Sequence, residues 1–534
     1  MRNHPGWIAL ALVLIASIRI AATYTVFNHT SDEQIHLACG MEWLDHGVYR
    51  WEAQHPPLSR VAAAVGPYLI GQRSANLPKK SAISLTLEGN AILYQNHRYE
   101  LTLALARLGI LPFFWIACLL VYRWGKRFNP GTAVVSVFLF SFLPPVLAHS
   151  AVATTDMALS AFLGASFLCG LVWLENPTLR NGLWFGGSVG LMVLSKFSGL
   201  VFFPASAGIG LAWYLWRTRT KPAMMWGMAR GRAATFAVAL LAGALLIWAG
   251  YRFSFGKVDF AGLRLPAPEL YRGIQEVREH NSLGHRSYLL GQLSGEGFWL
   301  FYPVALGVKT PIAFLILMAA GTALAFRKRA LRQAWLPVAF AGGILLVAAF
   351  SRINIGIRHV LPVYLAFSVL AALAVVSAWE QQNKVLRAAV GLLLVWFASS
   401  SALSHPDYLA YFNEFGGKEP ERILVDSDLD WGQDVKRLST RLRELGVTEL
   451  TFAHMAILES EKEHGLPKLN RFMDVRYPNP GWSAVSLNLL KQRRFALGDR
   501  NWDIIPWPER YQPVERVGKS ILLYYIPAAS IPSH

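Results

Sequence analysis

The sequence predicts a polytopic α-helical membrane protein of about eleven transmembrane helices, followed by a C-terminal α/β domain outside the membrane. Hydrophobic residues make up 54% of the 534 residues and charged residues only 16%. Many apolar runs approach the ~20 residues that cross a bilayer as a helix. From residue 404 onward the sequence becomes more polar. The chain therefore divides into a transmembrane domain, 1–403, and a soluble domain, 404–534.

Each predicted span is an apolar run bounded by polar residues or turn formers. The least regular stretch is 182–216, which is too long for one span and short for two; Lys196 and Gly199 in "SKFSG" interrupt it, so we divide it there. The predicted spans are 7–27, 101–123, 131–148, 156–174, 182–194, 199–216, 233–252, 298–326, 334–350, 358–378 and 387–403.

Clusters of Lys and Arg predict the orientation of these spans. Short loops rich in Lys and Arg face the cytoplasm. We therefore expect a cytoplasmic N-terminus, with the loops 28–100 and 253–297 and the C-terminal domain on the extracytoplasmic side. The net charge of +18 comes largely from such loops, so it does not indicate nucleic-acid binding. The basic loops are 122–128, 216–232, 327–332 and 383–387.

The tail carries the pattern of a small α/β unit. The stretch "RILVDSDLDWGQDVKRLSTRLRELGVTELTFAHM" predicts a strand, an acidic turn, an amphipathic helix over 435–445, a glycine stop and a second strand. A late apolar run, "SILLYYIP", predicts a further strand because it is too short to span a membrane.

Charged and histidine side chains gather at the outer ends of the predicted spans. A charge at bilayer depth costs roughly 2.5–3.5 kcal/mol or more, so such side chains tend to pair or to line a cavity. Helix anchoring is the simpler explanation for any one of them, but the whole set lies on one face and favours a site. The set comprises Asp32, Glu33, His149, Asp156, Lys196, Arg358 and His359.

These residue types suit transfer of a group from a lipid phosphate. A partly desolvated carboxylate can act as a general base toward a hydroxyl. Neighbouring Arg, Lys and His side chains can stabilise an anionic leaving group such as a phosphate. The two prolines of "AQHPPLSR" fix an extended bend that would direct His55 and Arg60 toward the same interface.

Several segments resemble a known family. "SDEQIHLACGMEWLDHGVYRWEAQHPPLSR" resembles the first outer loop of the dolichyl-phosphate-mannose protein mannosyltransferase family and its bacterial relatives, including the aminoarabinose lipid A transferases. Similar segments follow in order: "ATTDMAL", "GLMVLSKFSGL", "GIRHVLPVY" and the tail "ILVDSDLDWGQDVKRL". These proteins are membrane glycosyltransferases of the GT-C class. The resemblance thus implies a GT-C-like fold, a polyprenyl-phosphate-linked sugar as donor and a bacterial inner (plasma) membrane as location.

The resemblance also implies roles for individual residues. In this family the acidic pair after the first span supplies the catalytic base, a role that passes to Asp32, with Glu33 as a helper or substrate contact. Arg60 stands where eukaryotic members have lysine, and His55 where the aminoarabinose transferases have lysine. The residues expected to bind the donor phosphate or other parts of the substrates are His55, Arg60, Asp156, Lys196, Arg358 and His359.

One departure limits the resemblance. The large outer insert of the eukaryotic mannosyltransferases is missing, since loop 253–297 is too short to contain it, so protein O-mannosylation is not implied. The leading hypothesis is an inverting glycosyltransferase acting on a protein, lipid or glycan acceptor in contact with membrane lipids. A transporter or lipid flippase using the same charged cavity, and a scaffold in an envelope-synthesis complex, are the alternatives.

No metal or cofactor is expected from the sequence. Asp426, Asp428 and Asp430 alternate as in a calcium loop, but the twelfth position is Arg437 rather than a bidentate glutamate. We interpret these acids instead as residues around a helix N-terminus, where negative charge is favourable. The three cysteines show neither a metal-site spacing nor an obvious disulfide pair.

Overall fold

A computed structural model of the chain describes residues 5–528 except 82, 220–221, 259–261, 328–332, 454–462, 471–472, 475 and 494–504. The side chains of 222–225 are likewise outside the described part. Most of the basic loop 327–332 and part of the basic loop 216–232 therefore lie outside the described residues.

The predicted spans correspond to eleven helical units in the described part of the membrane domain, one unit for each span. Of the described helices, six are long and apolar enough to cross a membrane, and the number rises to eight when two bent pairs are each counted as one span. The units are α1 (Pro5–Ala21), α5 with α6 (Tyr99–Leu108, Leu111–Lys126), α7 with α8 (Pro130–Ser141, Pro144–Ser150), α9 (Asp156–Glu175), α10 (Leu179–Ser195), α11 (Gly199–Thr218), α12 (Pro222–Gly250), α14 with α15 (Phe301–Lys309, Ile312–Arg327), α16 (Trp335–Ala349), α17 (Val363–Glu380) and α18 (Lys384–Leu403).

Prolines break two of the predicted spans. The bend between α7 and α8 is 66°, immediately before Pro144 and Pro145, and the bend between α14 and α15 is 117°, at Pro311. Proline has no N–H for the helical ladder and disfavours the α conformation in the residue before it. The predicted division of 182–216 is confirmed, because α10 ends at Ser195 and α11 begins at Gly199.

The two long loops fold into small helical and hairpin elements. In their described residues, loop 28–100 forms three α-helices that pack beside α5, and loop 253–297 forms one helix and two hairpins. Gly40 lets the first two of these helices touch, because a Cβ there would lie 2.0 Å from the carbonyl oxygen of Arg60. The elements are α2 (Glu33–His46), α3 (Pro57–Leu69), α4 (Ser84–Tyr94), β1 (Phe255–Val258), β2 (Leu263–Pro266), α13 (Pro268–Leu283), β3 (Ser287–Leu289) and β4 (Gln292–Ser294).

The C-terminal domain is built on a five-stranded mixed sheet of order β6-β5-β7-β9-β8. The β5–β6 and β5–β7 pairs are parallel, whereas β7–β9 and β8–β9 are antiparallel. Leu438 and Leu442 of α19 pack on apolar residues of the sheet. The elements are α19 (Val435–Glu444), β5 (Glu449–Ala453), β6 (Lys468–Asn470), β7 (Gly481–Ser486), α20 (Leu487–Lys491), β8 (Glu515–Val517) and β9 (Ile521–Ile526).

The predicted helix and the strands at 449–453 and 521–526 are confirmed, but the predicted strand at "RILV" is wrong. Residues 423–425 are not in a strand. Leu424 packs in the core of the membrane domain, and Val425 packs with Tyr288 and Leu487. This apolar run is thus buried as a connection between the domains, so its hydrophobicity does not require pairing in a sheet.

Candidate active site

The adjacent acids at the start of α2 point into different surroundings. Glu33 is 1% exposed, and its carboxylate accepts both guanidinium hydrogen bonds from Arg107, at 2.8 and 2.9 Å. It also accepts the backbone N–H groups of Thr30 (2.8 Å) and Ala153 (2.9 Å). Burial alone would raise the pKa of Glu33, but Arg107 and the two N–H groups outweigh it and lower the pKa below its usual value.

Asp32, in contrast, keeps an open side. Its side chain is 31% exposed, and its Oδ2 accepts a hydrogen bond of 2.8 Å from Nη1 of Arg358. His36 lies one helical turn further along α2, on the face that carries Asp32. Of the two acids, Asp32 is therefore the one that a hydroxyl could approach.

A second acid lies on the far side of Arg358. Asp156 begins α9 and is fully buried; its Oδ1 lies 2.6 Å from Nζ of Lys196, which directly follows α10. Its Oδ2 lies 3.9 Å from Nη1 of Arg358 and accepts the hydroxyl of Thr154. Four separate parts of the membrane domain thus bring Asp32, Arg358, Asp156 and Lys196 into one chain of opposite charges.

Arg358 retains an unused donor. Its Nε is buried and has no hydrogen-bond partner among the described residues. A buried N–H without an acceptor is costly, so such a group marks where a ligand oxygen would be stabilised. His359 follows in sequence, in the short helical turn that precedes α17.

His55 and Arg60 belong to a neighbouring network rather than to the exposed face of the site. All five N–H groups of Arg60 face polar atoms of the protein: Nδ1 of His36 (3.0 Å), the hydroxyl of Tyr49 (2.9 Å), the carbonyl (3.1 Å) and carboxylate of Glu52, and Nδ1 of His55 (3.2 Å). Burial opposes the ionisation of Glu52, but Arg60 and His55 lower its pKa below the usual value. Arg60 therefore has no free donor for a phosphate in this arrangement.

The two networks are adjacent. The ring centroids of His36 and His55 are 5.2 Å apart, and His36 shares the helix of Asp32. Sequence reasoning missed Glu52, Arg107 and Trp431, whose indole ring lies 4.2 Å from the Cζ of Arg358. Glu52 stands only three residues before His55, but nothing in the sequence placed Arg107 or Trp431 beside the site.

The alternating acids of the tail do not converge. Oδ2 of Asp426 accepts from Gln492, Oδ1 of Asp428 from the backbone of Ile357, and Oδ2 of Asp430 from residues after β7. Among the described residues, no group of three or more His, Cys, Asp or Glu side chains is arranged to hold a metal ion.

Comparisons with known proteins agree with this architecture. The family model described as dolichyl-phosphate-mannose-protein mannosyltransferase matches residues 104–248. ArnT from Cupriavidus metallidurans bound to undecaprenyl phosphate has a similar structure, with a TM-score of 0.53 and 13% identity over 98% of both chains. Its apo state aligns with a TM-score of 0.50 and 14% identity over 97% of this chain and 98% of the other. No curated protein matches the sequence significantly.

The matched segment runs from α5 to α12 and includes Asp156 and Lys196, while Asp32 and Arg358 lie outside it. The structural similarity extends over nearly the whole chain and concerns the fold. The chain is therefore an integral membrane protein like the dolichyl-phosphate-mannose protein mannosyltransferases, with the GT-C glycosyltransferase fold that the outer motifs predicted.

Proposed function

We propose that the chain is an inverting glycosyltransferase that moves a sugar from a polyprenyl-phosphate donor to an acceptor hydroxyl at the extracytoplasmic membrane face. The observation that carries the proposal is the pair formed by Asp32 and Arg358, a partly exposed carboxylate 2.8 Å from a buried cation with a free N–H. Such a pair can serve both halves of the reaction. Asp32 would remove a proton from the nucleophile, and Arg358 would stabilise the negative charge of the leaving group.

The reaction balances with these groups alone. Asp32 takes the proton of the acceptor hydroxyl while the oxygen attacks the anomeric carbon from the side opposite the phosphate. The bond between that carbon and the phosphate oxygen breaks, and both electrons leave with the polyprenyl phosphate. Configuration inverts because a single displacement occurs. Arg358 and Lys196 are the cations that pair with Asp32 and Asp156, and they would compensate the charge on the phosphate.

Asp156 is the other acid beside Arg358. Asp156, held by Lys196 at 2.6 Å, has its own cation and is the poorer candidate for the base.

An apolar cavity supports a lipid donor. A cavity of about 310 Å³ lies between α14, α15, α16 and α17 and is lined mainly by apolar side chains, including Leu306, Leu315 and Phe367. Tyr302, also in its lining, donates a hydrogen bond of 3.0 Å to the carbonyl of Ile353, in the segment that leads to Arg358. A polyprenyl chain in this cavity would have its phosphate near the charged end. ArnT has a similar fold and binds undecaprenyl phosphate, which supports a polyprenyl phosphate as the class of ligand.

A transfer assay tests the function. Purified protein in detergent is incubated with polyprenyl-phosphate donors that carry different radiolabelled sugars and with membrane extracts containing lipid, glycan and protein acceptors. We expect label to move from the polyprenyl phosphate into one acceptor class without added nucleotide sugar. If no donor of this type loses its sugar to any acceptor, while the protein remains folded, the proposal is wrong.

The proposed orientation has a separate test. Single cysteines replace the exposed residues Lys80 and Lys418 on the proposed outer side and Lys384 on the proposed cytoplasmic side. A membrane-impermeant maleimide applied to intact cells is expected to label the first two and to leave the third unlabelled until the cells are opened. The reverse pattern would put Asp32 on the cytoplasmic face and contradict the proposed site of transfer.

A further inference from the structure

One loop of the C-terminal domain reaches into the charged site of the membrane domain. Residues 426–434, here called the Asp-rich loop, precede α19. Trp431 of this loop is 3% exposed, and its ring faces the guanidinium of Arg358, with 4.2 Å between the ring centroid and Cζ. A desolvated arginine over tryptophan is among the stronger cation–π arrangements.

The loop holds the chain on both sides of the Asp32–Arg358 pair. The backbone carbonyl of Trp431 accepts a hydrogen bond of 3.0 Å from Ser31, which directly precedes Asp32. Oδ1 of Asp428 accepts a hydrogen bond of 3.0 Å from the N–H of Ile357, which directly precedes Arg358. The residues directly before Asp32 and Arg358 are therefore both hydrogen-bonded to the Asp-rich loop.

Further bonds fix the loop to both domains. Nζ of Lys309 donates to the backbone carbonyl of Asp428, and the hydroxyl of Ser427 donates to the carbonyl of Ile355. On the side of the sheet, the carboxylate of Asp430 accepts the hydroxyl of Ser486 and, at 2.8 Å, the N–H of Asn488.

The end of the loop is secured in the same way. Oδ2 of Asp434 accepts the N–H of Lys519 (3.0 Å) and the hydroxyl of Ser520 (2.8 Å), in the turn between β8 and β9. The acids of this loop thus serve as hydrogen-bond acceptors for the C-terminal domain and the segment before Arg358. That use explains why they alternate without converging on one point.

Trp431 also accounts for the unusual pairing of Arg358. A guanidinium between two carboxylates commonly binds one of them through two parallel hydrogen bonds. Here Nη1 alone contacts Asp32, Asp156 lies 3.9 Å from the same nitrogen, and Nε has no partner. Contact with the indole face restricts the orientation of the guanidinium, so it cannot turn freely to satisfy the remaining donor on a carboxylate.

We propose that the Asp-rich loop is a structural part of the active site, in which Trp431 is a positioning residue that keeps a donor of Arg358 available for the phosphate of the lipid substrate. This inference rests on the proposed glycosyltransferase function. It gives the C-terminal domain a role at the donor site, since the domain supplies the indole ring that contacts the Arg358 guanidinium.

Two substitutions of similar bulk test this role. Trp431→Phe keeps an aromatic face for the cation, whereas Trp431→Leu fills much of the same space without one. We expect Trp431→Leu to raise the KM for the polyprenyl-phosphate sugar by about 5- to 30-fold and to leave kcat at saturating donor within about threefold. Trp431→Phe should keep KM within about threefold of the parental value. Binding of unglycosylated polyprenyl phosphate in detergent should weaken in the same order.

Trp482→Ala is the matched control, because Trp482 packs on Tyr525 in the sheet of the same domain and is half-buried. It should leave both the donor KM and lipid binding unchanged. The inference is overturned if Leu and Phe at position 431 behave alike, if kcat falls while KM is constant, or if both variants unfold. If the parental protein binds polyprenyl phosphate in a Trp431-dependent way but transfers no sugar, the proposed function fails and the positioning role survives.

Discussion

The two adjacent acids that follow the first helix, Asp32 and Glu33, differ in burial and in their ion-pair partners. Glu33 is buried, forms an ion pair with Arg107 and accepts four hydrogen bonds. Asp32 shares Arg358 with Asp156 and is 31% exposed. The network around Glu33 is closed, whereas the one around Asp32 leaves a carboxylate oxygen exposed and Nε of Arg358 without a partner among the described residues. Two adjacent carboxylates of the same chemistry therefore differ in accessibility because of the partners that the fold gives them.

The largest expected effect comes from removing the open carboxylate. Asp32→Asn preserves shape but eliminates the base, so we expect sugar transfer to fall by about 10²- to 10⁴-fold with little change in melting temperature. Asp45→Asn on the same helix is the control, because Asp45 pairs with Arg73 at the opposite end of α2. Parental activity in a folded Asp32→Asn protein would move the role of base to another acid, with Asp156 the next candidate.

Substitution of Glu33, in the closed network, should lower the stability of the fold more than the rate of the reaction. Glu33→Gln leaves Arg107 as a buried cation without a counter-ion, and breaking such a pair costs about 3–5 kcal/mol. We expect a clear drop in the melting temperature of the purified protein and a smaller loss of kcat per folded molecule than in Asp32→Asn. Glu175→Gln, at an exposed pair with Arg127, should change melting very little. A Glu33→Gln protein with parental stability and strongly reduced kcat would assign Glu33 to the reaction itself.

The comparison extends to the two arginines predicted to hold the donor phosphate. Nε of Arg358 has no hydrogen-bond partner among the described residues, whereas every N–H of Arg60 faces a polar atom of the protein. Arg358→Ala should raise the donor KM by roughly 10- to 100-fold, as expected for loss of a charge-assisted hydrogen bond. Arg60→Ala should weaken donor use less and act through Glu52 and His55. Arg352→Ala, at an exposed position six residues before Arg358, serves as the control.

Equal effects of the Arg60 and Arg358 substitutions on donor KM would show that the hydrogen bonds of Arg60 open when donor binds. An unchanged donor KM in both would remove the two arginines from the phosphate site. Measurement of acceptor KM in the same variants separates a donor effect from a general loss of activity.

The smallest expected effect concerns pH. Because the folded-state pKa of Glu33 lies below its ordinary value of 4.5, its ionised form stabilises the fold above that pH, and the stabilisation is lost as pH falls through the folded-state pKa. The difference in melting temperature between the parental protein and Glu33→Gln should therefore be constant near neutrality and shrink below about pH 4.5. A difference that grows on acidification would contradict the closed network.

Patterns along the chain were enough to predict where the helices of the membrane domain lie, and of those described six to eight are long and apolar enough to cross a membrane. The eleven apolar runs reappear as eleven helical units, and the interruption at Lys196 separates α10 from α11 because apolar length and helix breakers act locally. The amphipathic helix at 435–444 and the late strand at 521–526 were predicted for the same reason. The strand predicted at the apolar run 423–425 was wrong, because a segment buried between two domains is as hydrophobic as a strand buried in a sheet.

Which residue types stand at the ends of the spans, and therefore the kind of chemistry available there, could be read from the amino-acid order. Which of these residues meet depends on the fold. Asp32 and Arg358 are 326 positions apart, and Trp431 comes from another domain. Whether an acid is closed by its partners or left accessible depends on side chains brought together by helix packing and domain docking. Such long-range contacts leave no periodic signal in the chain. Residue patterns therefore did not reveal that Glu33 is enclosed by Arg107 while Asp32 stays accessible, and only the family resemblance gave the two acids different roles.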